Sequence, residues 1–257
     1  MTAKNADSNR LPSVCVVTHP LAAAGENATR SLLDILSAIT TVSLVTANLP
    51  ENSTIWEEHD VTEVSADGAG SSVVVAAIRF LRNQLRMSAV VARRDEDVVL
   101  FYGATAYVLP MLVARARGKT VLVEPRGDVP LTLRLNWERR LPAWLAATLA
   151  GLVRVLERAG FTIANGVVTY TPAMARQLDL DPDAPNVFPK GARYVQTDRF
   201  EPDGSFEDRD RVVGFLGRLD EEKGIRELAA VAKRLPDDVT VRFVGDGDLR
   251  EWLESEL

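Results

Sequence analysis

Two cations near the end of the sequence are spaced to hold a phosphate group. Arg218 and Lys223 lie five residues apart in "GFLGRLDEEKGI", where a buried strand is predicted to meet a helix that Asp220 caps. A helix N-terminus attracts anions, so a lysine in its first turn is unfavourable unless a negative ligand compensates for it. Two cations beside such a helix start are therefore a candidate diphosphate site. The alternative, two side chains that simply point into solvent, stays open.

The elements that must position these cations follow an alternating pattern of strands and helices. Continuous apolar runs predict buried parallel strands at 13–18, 42–47, 61–66, 97–103, 119–125 and 166–171. Helical periodicity separates them, over 27–39, 71–92, 106–117 and a long stretch at 137–160. This order predicts an α/β fold built on a doubly wound, Rossmann-type sheet with helices on both faces.

The same pattern divides the chain into two domains of unequal length. Residues 1–10 are predicted to be a disordered lead-in, and 11–180 to form the first Rossmann-type domain. A stretch rich in Pro, Asp and Gly at 181–210 is typical of a connector. Strands and helices then restart over 211–257, with a helix at 221–235. Because a two-stranded sheet is marginally stable alone, we expect this to be the start of a second Rossmann-type domain whose continuation is missing.

Composition narrows the classes of function. The 30 basic and 36 acidic residues give a net charge of −6, which argues against non-specific nucleic-acid binding. A single cysteine, Cys15, excludes an internal disulfide and favours a cytoplasmic protein. The two histidines, His19 and His59, cannot complete a zinc site with that cysteine unless carboxylates contribute, so no metal site is predicted. His59 lies in a polar loop and is expected to be solvated.

Two motifs in order resemble a known family of enzymes. "VVGFLGRLDEEKGIRELAAVAKRL", followed by "VRFVGDGDLRE", covers nearly all of 211–251. It is similar to the donor-binding half of the group-one retaining glycosyltransferases of the GT-B fold, in which a strand ends in G-R-L, an E-K-G follows, and the next strand leads into V-G-D-G. Three looser segments fit the family's first domain and its link to the second: "PLAAAGENATRSLLDIL", "GVVTYTPAMARQL" and "NVFPKGARYVQTDRF".

The resemblance implies a site for a sugar nucleotide. Arg218 and Lys223 would act catalytically: they would hold the donor diphosphate and stabilise the negative charge that grows on it, without a metal ion or another cofactor. Four residues would line the donor cleft, namely Gly25, Gly217, Gly245 and Asp246. Their alternatives stay open: a helix-start loop for Gly25, and a tight strand-to-helix turn capped by Asp246 for the GDGD segment.

Three residues are predicted on the acceptor side of that site. His19 follows the first strand, at the edge where doubly wound sheets bind ligands. Many family members place a histidine after the strand that corresponds to "KTVLVEP", but this chain has "EPRGDVPLT" there, as some branches of the family do. Arg126 and Asp128 in that segment could hydrogen-bond a sugar or acceptor hydroxyl, with Asp128 as a catalytic residue. An ion pair within the local turn is the alternative.

Other functions and an incomplete site stay in view. The family's paired glutamates, seven residues apart, would lie beyond Leu257, so we expect a partial chain that is incomplete or inactive by itself. A catalytically silent binding module is therefore an alternative. A dinucleotide-dependent oxidoreductase is disfavoured, because Arg250 stands where the third glycine of G-x-G-x-x-G belongs.

A basic and aromatic segment bears on the partners. "NWERRLPAWLAATLAGLVRVLERAGF" places two tryptophans and several arginines on the helix predicted at 137–160. Such a helix can lie on a membrane and meet a lipid-linked acceptor, whereas a helix that only covers the sheet is the alternative. We expect a nucleotide-sugar donor, a glycan or lipid-linked acceptor and no nucleic acid. Peripheral contact with the inner face of a membrane stays open.

Overall fold

The computed structural model describes residues 11–19, 21, 23–68, 72–191 and 204–257. The chain divides into two compact units, Met1–Tyr194 and Val195–Leu257. The lead-in predicted at 1–10 lies outside the described residues, as does the part of the predicted connector at 192–203.

Among these residues, the first unit forms one parallel sheet of seven strands. In chain order they are β1 (Val14–Thr18), β2 (Val42–Thr46), β3 (Asp60–Glu63), β4 (Val98–Tyr102), β5 (Thr120–Glu124), β6 (Gly166–Val168) and β7 (Val187–Phe188). Their order across the sheet is β3-β2-β1-β4-β5-β6-β7, and neighbouring strands are parallel. The strand order reverses between β1 and β4, which creates the switch point of a doubly wound fold.

Helices cover both faces of this sheet. They are α1 (Ala23–Ser37), α2 (Ile55–Glu58), α3 (Val73–Val91), α4 (Val108–Ala116), α5 (Val129–Glu138), α6 (Ala143–Ile163) and α7 (Pro172–Gln177). Because alternate residues of a strand point to opposite faces, each strand feeds two cores. Cys15 and Val17 of β1 pack with side chains from α3, α4 and α6, whereas Val14 and Val16 pack with α1 and α2. The predicted doubly wound α/β fold is confirmed.

The single helix predicted at 137–160 is wrong. α5 ends at Glu138 and α6 begins at Ala143, with Pro142 at the N-cap position of α6. Proline has no backbone N–H and is tolerated at a helix start but not inside a helix, so Pro142 separates the two elements. No helix in the described part of the chain is both long and apolar enough to cross a membrane.

The structure also differs from the sequence prediction at shorter elements. α1 begins at Ala23 rather than at 27, and α2 forms in a polar stretch where no helix was predicted. β7 lies inside the predicted connector at 181–210, where Val187 pairs with Val167 of β6. A strand of two residues carries no alternation that a sequence pattern could detect.

The second unit contains a parallel pair of strands. Its elements are β8 (Val212–Leu216), a 3-10 helix (Glu221–Lys223), α8 (Ile225–Ala232), β9 (Thr240–Val244) and α9 (Arg250–Glu256). Ile225 and Leu253 are buried with Phe215 and Phe243 packed against their cluster. The helix predicted at 221–235 is wrong at its start, because Gly224 adopts a left-handed conformation with φ 67° and separates the 3-10 helix from α8.

Candidate functional site

The carboxyl edge of the sheet in the first unit brings several predicted residues together. His19 follows β1 directly and Arg126 follows β5. Between them stands Gly103, after β4, where a Cβ atom would lie 3.3 Å from Arg126 Cδ and 3.3 Å from His19 Cε1. A Cβ atom on Gly25 would lie 4.0 Å from Arg126 Nη1. The histidine, the arginine and the glycine of α1 therefore meet at the switch point, where doubly wound sheets bind ligands.

Gly103 is a residue between these candidate site residues that the sequence motifs do not single out. Its φ of 69° is one that side-chain-bearing residues rarely adopt, and its backbone N–H donates to the carbonyl oxygen of Glu124 at 2.8 Å. The signal in the sequence is the glycine that ends "DVVLFYG". We call His19, Tyr102, Gly103, Glu124 and Arg126 the switch-point cluster.

Two ionisable groups of the switch-point cluster, Arg126 and Glu124, lie in partly or fully buried positions. The Arg126 guanidinium carbon is 5.1 Å from the centre of the Tyr102 ring, within the range of a cation–π contact. Burial raises the pKa of the Glu124 carboxyl to about 7, and the positive charge of Arg126 opposes that rise. Glu124 can therefore hold or release a proton near neutral pH.

His19 presents a free hydrogen-bonding atom to this cluster. Burial, assisted by the positive charge of Arg126, lowers the pKa of the imidazole below its ordinary value, so the ring is neutral at neutral pH. Its Nδ1 atom is buried and has no hydrogen-bond partner among the described residues. An unsatisfied buried polar atom costs about 1–3 kcal/mol, which a ligand that hydrogen-bonds to it would offset.

Asp128 is engaged elsewhere. Its carboxylate accepts a hydrogen bond from the backbone N–H of Leu131 at 2.9 Å and so caps the start of α5. Arg154 Nη2 of α6 lies 2.9 and 2.8 Å from its two oxygens. These contacts support the alternative of a structural ion pair, but the partner is Arg154, 26 residues away, rather than a residue of the local turn.

Replacing Asp128 with alanine is expected to lower the free energy of unfolding by about 1–2 kcal/mol, because the cap of α5 and the link to α6 are both lost. Asp128→Asn keeps an oxygen for the cap and is the matched control, with a smaller expected loss. Urea denaturation of both variants measures the difference. An alanine variant of unchanged stability that loses only acceptor use would instead assign Asp128 to the acceptor.

In the second unit, Arg218 lies directly after the loop glycine that follows β8. Its side chain is 62% exposed and forms ion pairs with Asp220, at 2.9 Å, and with Glu222. Lys223 is exposed and lies at the end of the 3-10 helix. The prediction that it lies in the first turn of the following helix is therefore wrong. Asp220 does not cap that helix with its side chain; it accepts from the backbone N–H of Asp248 instead.

The predicted donor-cleft residues of this unit hold two loops side by side. Gly217 N–H donates to the Val244 carbonyl at 3.0 Å, and a Cβ atom on Gly245 would lie 1.9 Å from the Gly217 oxygen. Close contact between the loops therefore accounts for the glycine at 245. Asp246 accepts from the adjacent N–H of Gly247 and does not cap α9, whose N-cap position is Leu249.

Several solved structures have a fold similar to that of this chain. No family model matches the sequence, and no curated protein matches it at a significant level. The chain is similar to the apo form of the lipopolysaccharide outer core galactosyltransferase WaaB, with a TM-score of 0.59 and 13% identity over 95% of this chain and 64% of that one. MurG of Acinetobacter baumannii gives 0.53 and 15%, over 95% and 62%. HepE of Anabaena, in complex with UDP and glucose, gives 0.60 and 13%, over 96% and 65%.

These structures are glycosyltransferases of the GT-B fold, and at such identities the likeness concerns the fold alone. The chain has that fold: a doubly wound Rossmann-type unit, followed by strands and helices of a second α/β unit. It spans 62–65% of the length of the three structures. The fold predicted from the motifs at 211–251 is confirmed.

Proposed function

We propose that this chain belongs to a retaining, metal-independent glycosyltransferase that moves a hexosyl group from a nucleoside diphosphate sugar to an acceptor. The observation that carries the proposal is the position of Arg218, an exposed cation at the carboxyl end of a parallel strand in a GT-B fold. HepE, of similar fold, was solved with UDP and glucose. The proposal extends that donor chemistry to this chain.

On the donor side, Arg218 and Lys223 would act on the leaving group. As the glycosidic bond breaks, the electron pair of that bond stays with the diphosphate, whose negative charge increases. Two cations beside the diphosphate stabilise that charge more in the transition state than in the ground state, which lowers the barrier. In the structure, Arg218 forms ion pairs with Asp220 and Glu222. A bound diphosphate would replace these carboxylates as the partner of the guanidinium group.

On the acceptor side, the switch-point cluster supplies the polar groups. Neutral His19 offers Nδ1 to a hydroxyl, and Arg126 offers N–H donors. Gly25 and Gly103 carry no side chain, which lets Arg126 lie close to both. Glu124, with a pKa of about 7, can exchange a proton with a group bound in the cluster. Asp128 is a positioning residue in this account, because it fixes α5 directly after the segment that carries Arg126.

Saturation-transfer NMR tests the donor class. UDP-glucose, GDP-mannose and NAD are each added to the protein, and transfer from protein to ligand protons is measured. We expect saturation transfer to at least one sugar nucleotide and none to NAD. An excess of the corresponding nucleoside diphosphate should abolish the transfer by competing for the site. Transfer to NAD alone would overturn the proposal in favour of a dinucleotide enzyme.

The face formed by α5 and α6 favours a lipid-linked acceptor. The exposed side chains of the two helices and the turn between them include Trp144, which is 70% exposed, and six further apolar or basic ones: Leu131, Leu135, Leu152, Val155, Arg134 and Arg140. Such a surface suits the headgroup region of an anionic membrane. We expect flotation with vesicles that contain an anionic lipid, weakened several-fold by Trp144→Ser. Equal recovery of both proteins in the vesicle fraction would exclude this face as the contact.

A further inference from the structure

We infer that the first unit carries a zinc-binding site formed by Asp34, Glu58 and His59. Asp34 lies on α1, Glu58 ends α2, and His59 connects α2 to β3. One ligand atom from each lies within 4.8 Å of the other two. The site is at the amino end of β3, whereas the switch-point cluster lies at the carboxyl edge of the same sheet.

The spacing of two of the ligand atoms suits a shared ion. His59 Nε2 lies 3.1 Å from Asp34 Oδ1. Two ligands bound at ~2.0–2.1 Å to a tetrahedral zinc ion lie roughly 3.3 Å apart, so this pair needs almost no movement. A hydrogen bond between the imidazole and the carboxylate accounts for that one distance. It does not account for Glu58, whose carboxylate oxygen lies within 4.8 Å of both other ligand atoms.

Burial fixes the imidazole while the carboxylates stay accessible. The prediction that His59 is solvated is wrong, because only 5% of its side chain is exposed, against 49% for Asp34. A cavity of about 510 Å³ adjoins the cluster and is lined by Thr40, Thr41, Glu58 and His59, among others. The ligands are therefore reachable from solvent, with room for water to complete the coordination.

The chemistry of the three ligands favours zinc over the common hard cations. Imidazole nitrogen is a good ligand for zinc, whereas magnesium and calcium prefer oxygen alone. The two carboxylates would carry two negative charges, which a divalent ion neutralises. Because the ligands come from α1, α2 and the start of β3, a bound ion would fasten an edge strand of the sheet to two helices and stabilise the folded state.

The two histidines make the experiment internally controlled. The untagged chain, with labelled imidazoles, is titrated with zinc chloride and followed by NMR. We expect the His59 ring signals to shift at one equivalent while those of His19, the only other histidine of the sequence, stay in place. Magnesium chloride at the same concentration is expected to move neither ring. Shifts of His19 alone, or of neither ring with zinc, would overturn the inference.

A matched pair of variants on α2 tests the third ligand. Glu58→Gln removes a ligand, and Glu57→Gln removes the same charge from an exposed neighbour that is not part of the cluster. In equilibrium dialysis we expect one zinc per chain, an affinity lower by about tenfold or more for Glu58→Gln, and no change for Glu57→Gln. Equal affinities in the two variants would show that the carboxylate of Glu58 is not a ligand and would contradict the site.

Discussion

Arg218→Ala is expected to lower the turnover number for sugar transfer by about 10²–10³-fold, the usual cost of losing one preorganised group that stabilises charge in a transition state. Lys223→Ala is expected to have an effect of the same order. Neither side chain contributes to a buried core, since both are exposed, so the variants should fold as the parent does. The affinity for substrate should change less than the turnover number, because the charge on the diphosphate increases only as the bond breaks.

Steady-state kinetics of sugar transfer measures this effect, with circular dichroism as the check on folding. Arg211→Ala is the matched control, because Arg211 is an exposed arginine of the same unit that forms an ion pair with Asp238. It should retain the parent's turnover number. Full turnover in either Arg218→Ala or Lys223→Ala would remove that residue from the mechanism.

Glu124→Gln is expected to remove a pH dependence of stability worth about 3 kcal/mol in total. Burial raises the pKa of this carboxyl from 4.5 to about 7. Below pH 4.5 the folded and unfolded chains both hold the proton. Between 4.5 and 7 the folded chain keeps a proton that the unfolded chain has released, so its stability falls as the pH rises through this window. Above 7 the loss is complete.

Urea denaturation of parent and variant at pH 5 and pH 8 measures that change. The difference in unfolding free energy between the two proteins should shift by about 2–3 kcal/mol in favour of the variant at the higher pH. His19 has a lowered pKa and makes stability rise with pH, but it is present in both proteins and cancels in the difference. A difference that is the same at both pH values would mean that Glu124 ionises normally in the folded chain.

Much of the fold could be predicted because it depends on local pattern. The central strands are continuous apolar runs, which only a sheet covered on both faces explains, and they appear where expected. β7 could not be predicted from the sequence, because a strand of two residues shows no periodicity. Pro142 is a signal for the break between α5 and α6, but the apolar periodicity on both sides of it predicts one continuous helix.

The sequence predicts a residue of the candidate site only where its place relative to a strand determines its location in the fold. His19 and Arg126 follow strands, so their edge of the sheet is fixed by the fold. The pKa of Glu124 depends on burial, and the ion pair of Asp128 depends on Arg154, 26 residues later. The contact of His59 with Asp34 joins residues 25 apart. Contacts between residues that are distant in the chain leave no spacing signal in a single sequence.

Phosphorus NMR of UDP is the sharpest test of the proposed donor site, because it observes the diphosphate that Arg218 and Lys223 are proposed to hold. Addition of the protein should shift or broaden both phosphorus signals, and Arg218→Ala should greatly weaken that effect at equal concentration. Phosphorus signals that respond equally to the parent and to Arg218→Ala, or to neither, would contradict a diphosphate site at these two cations.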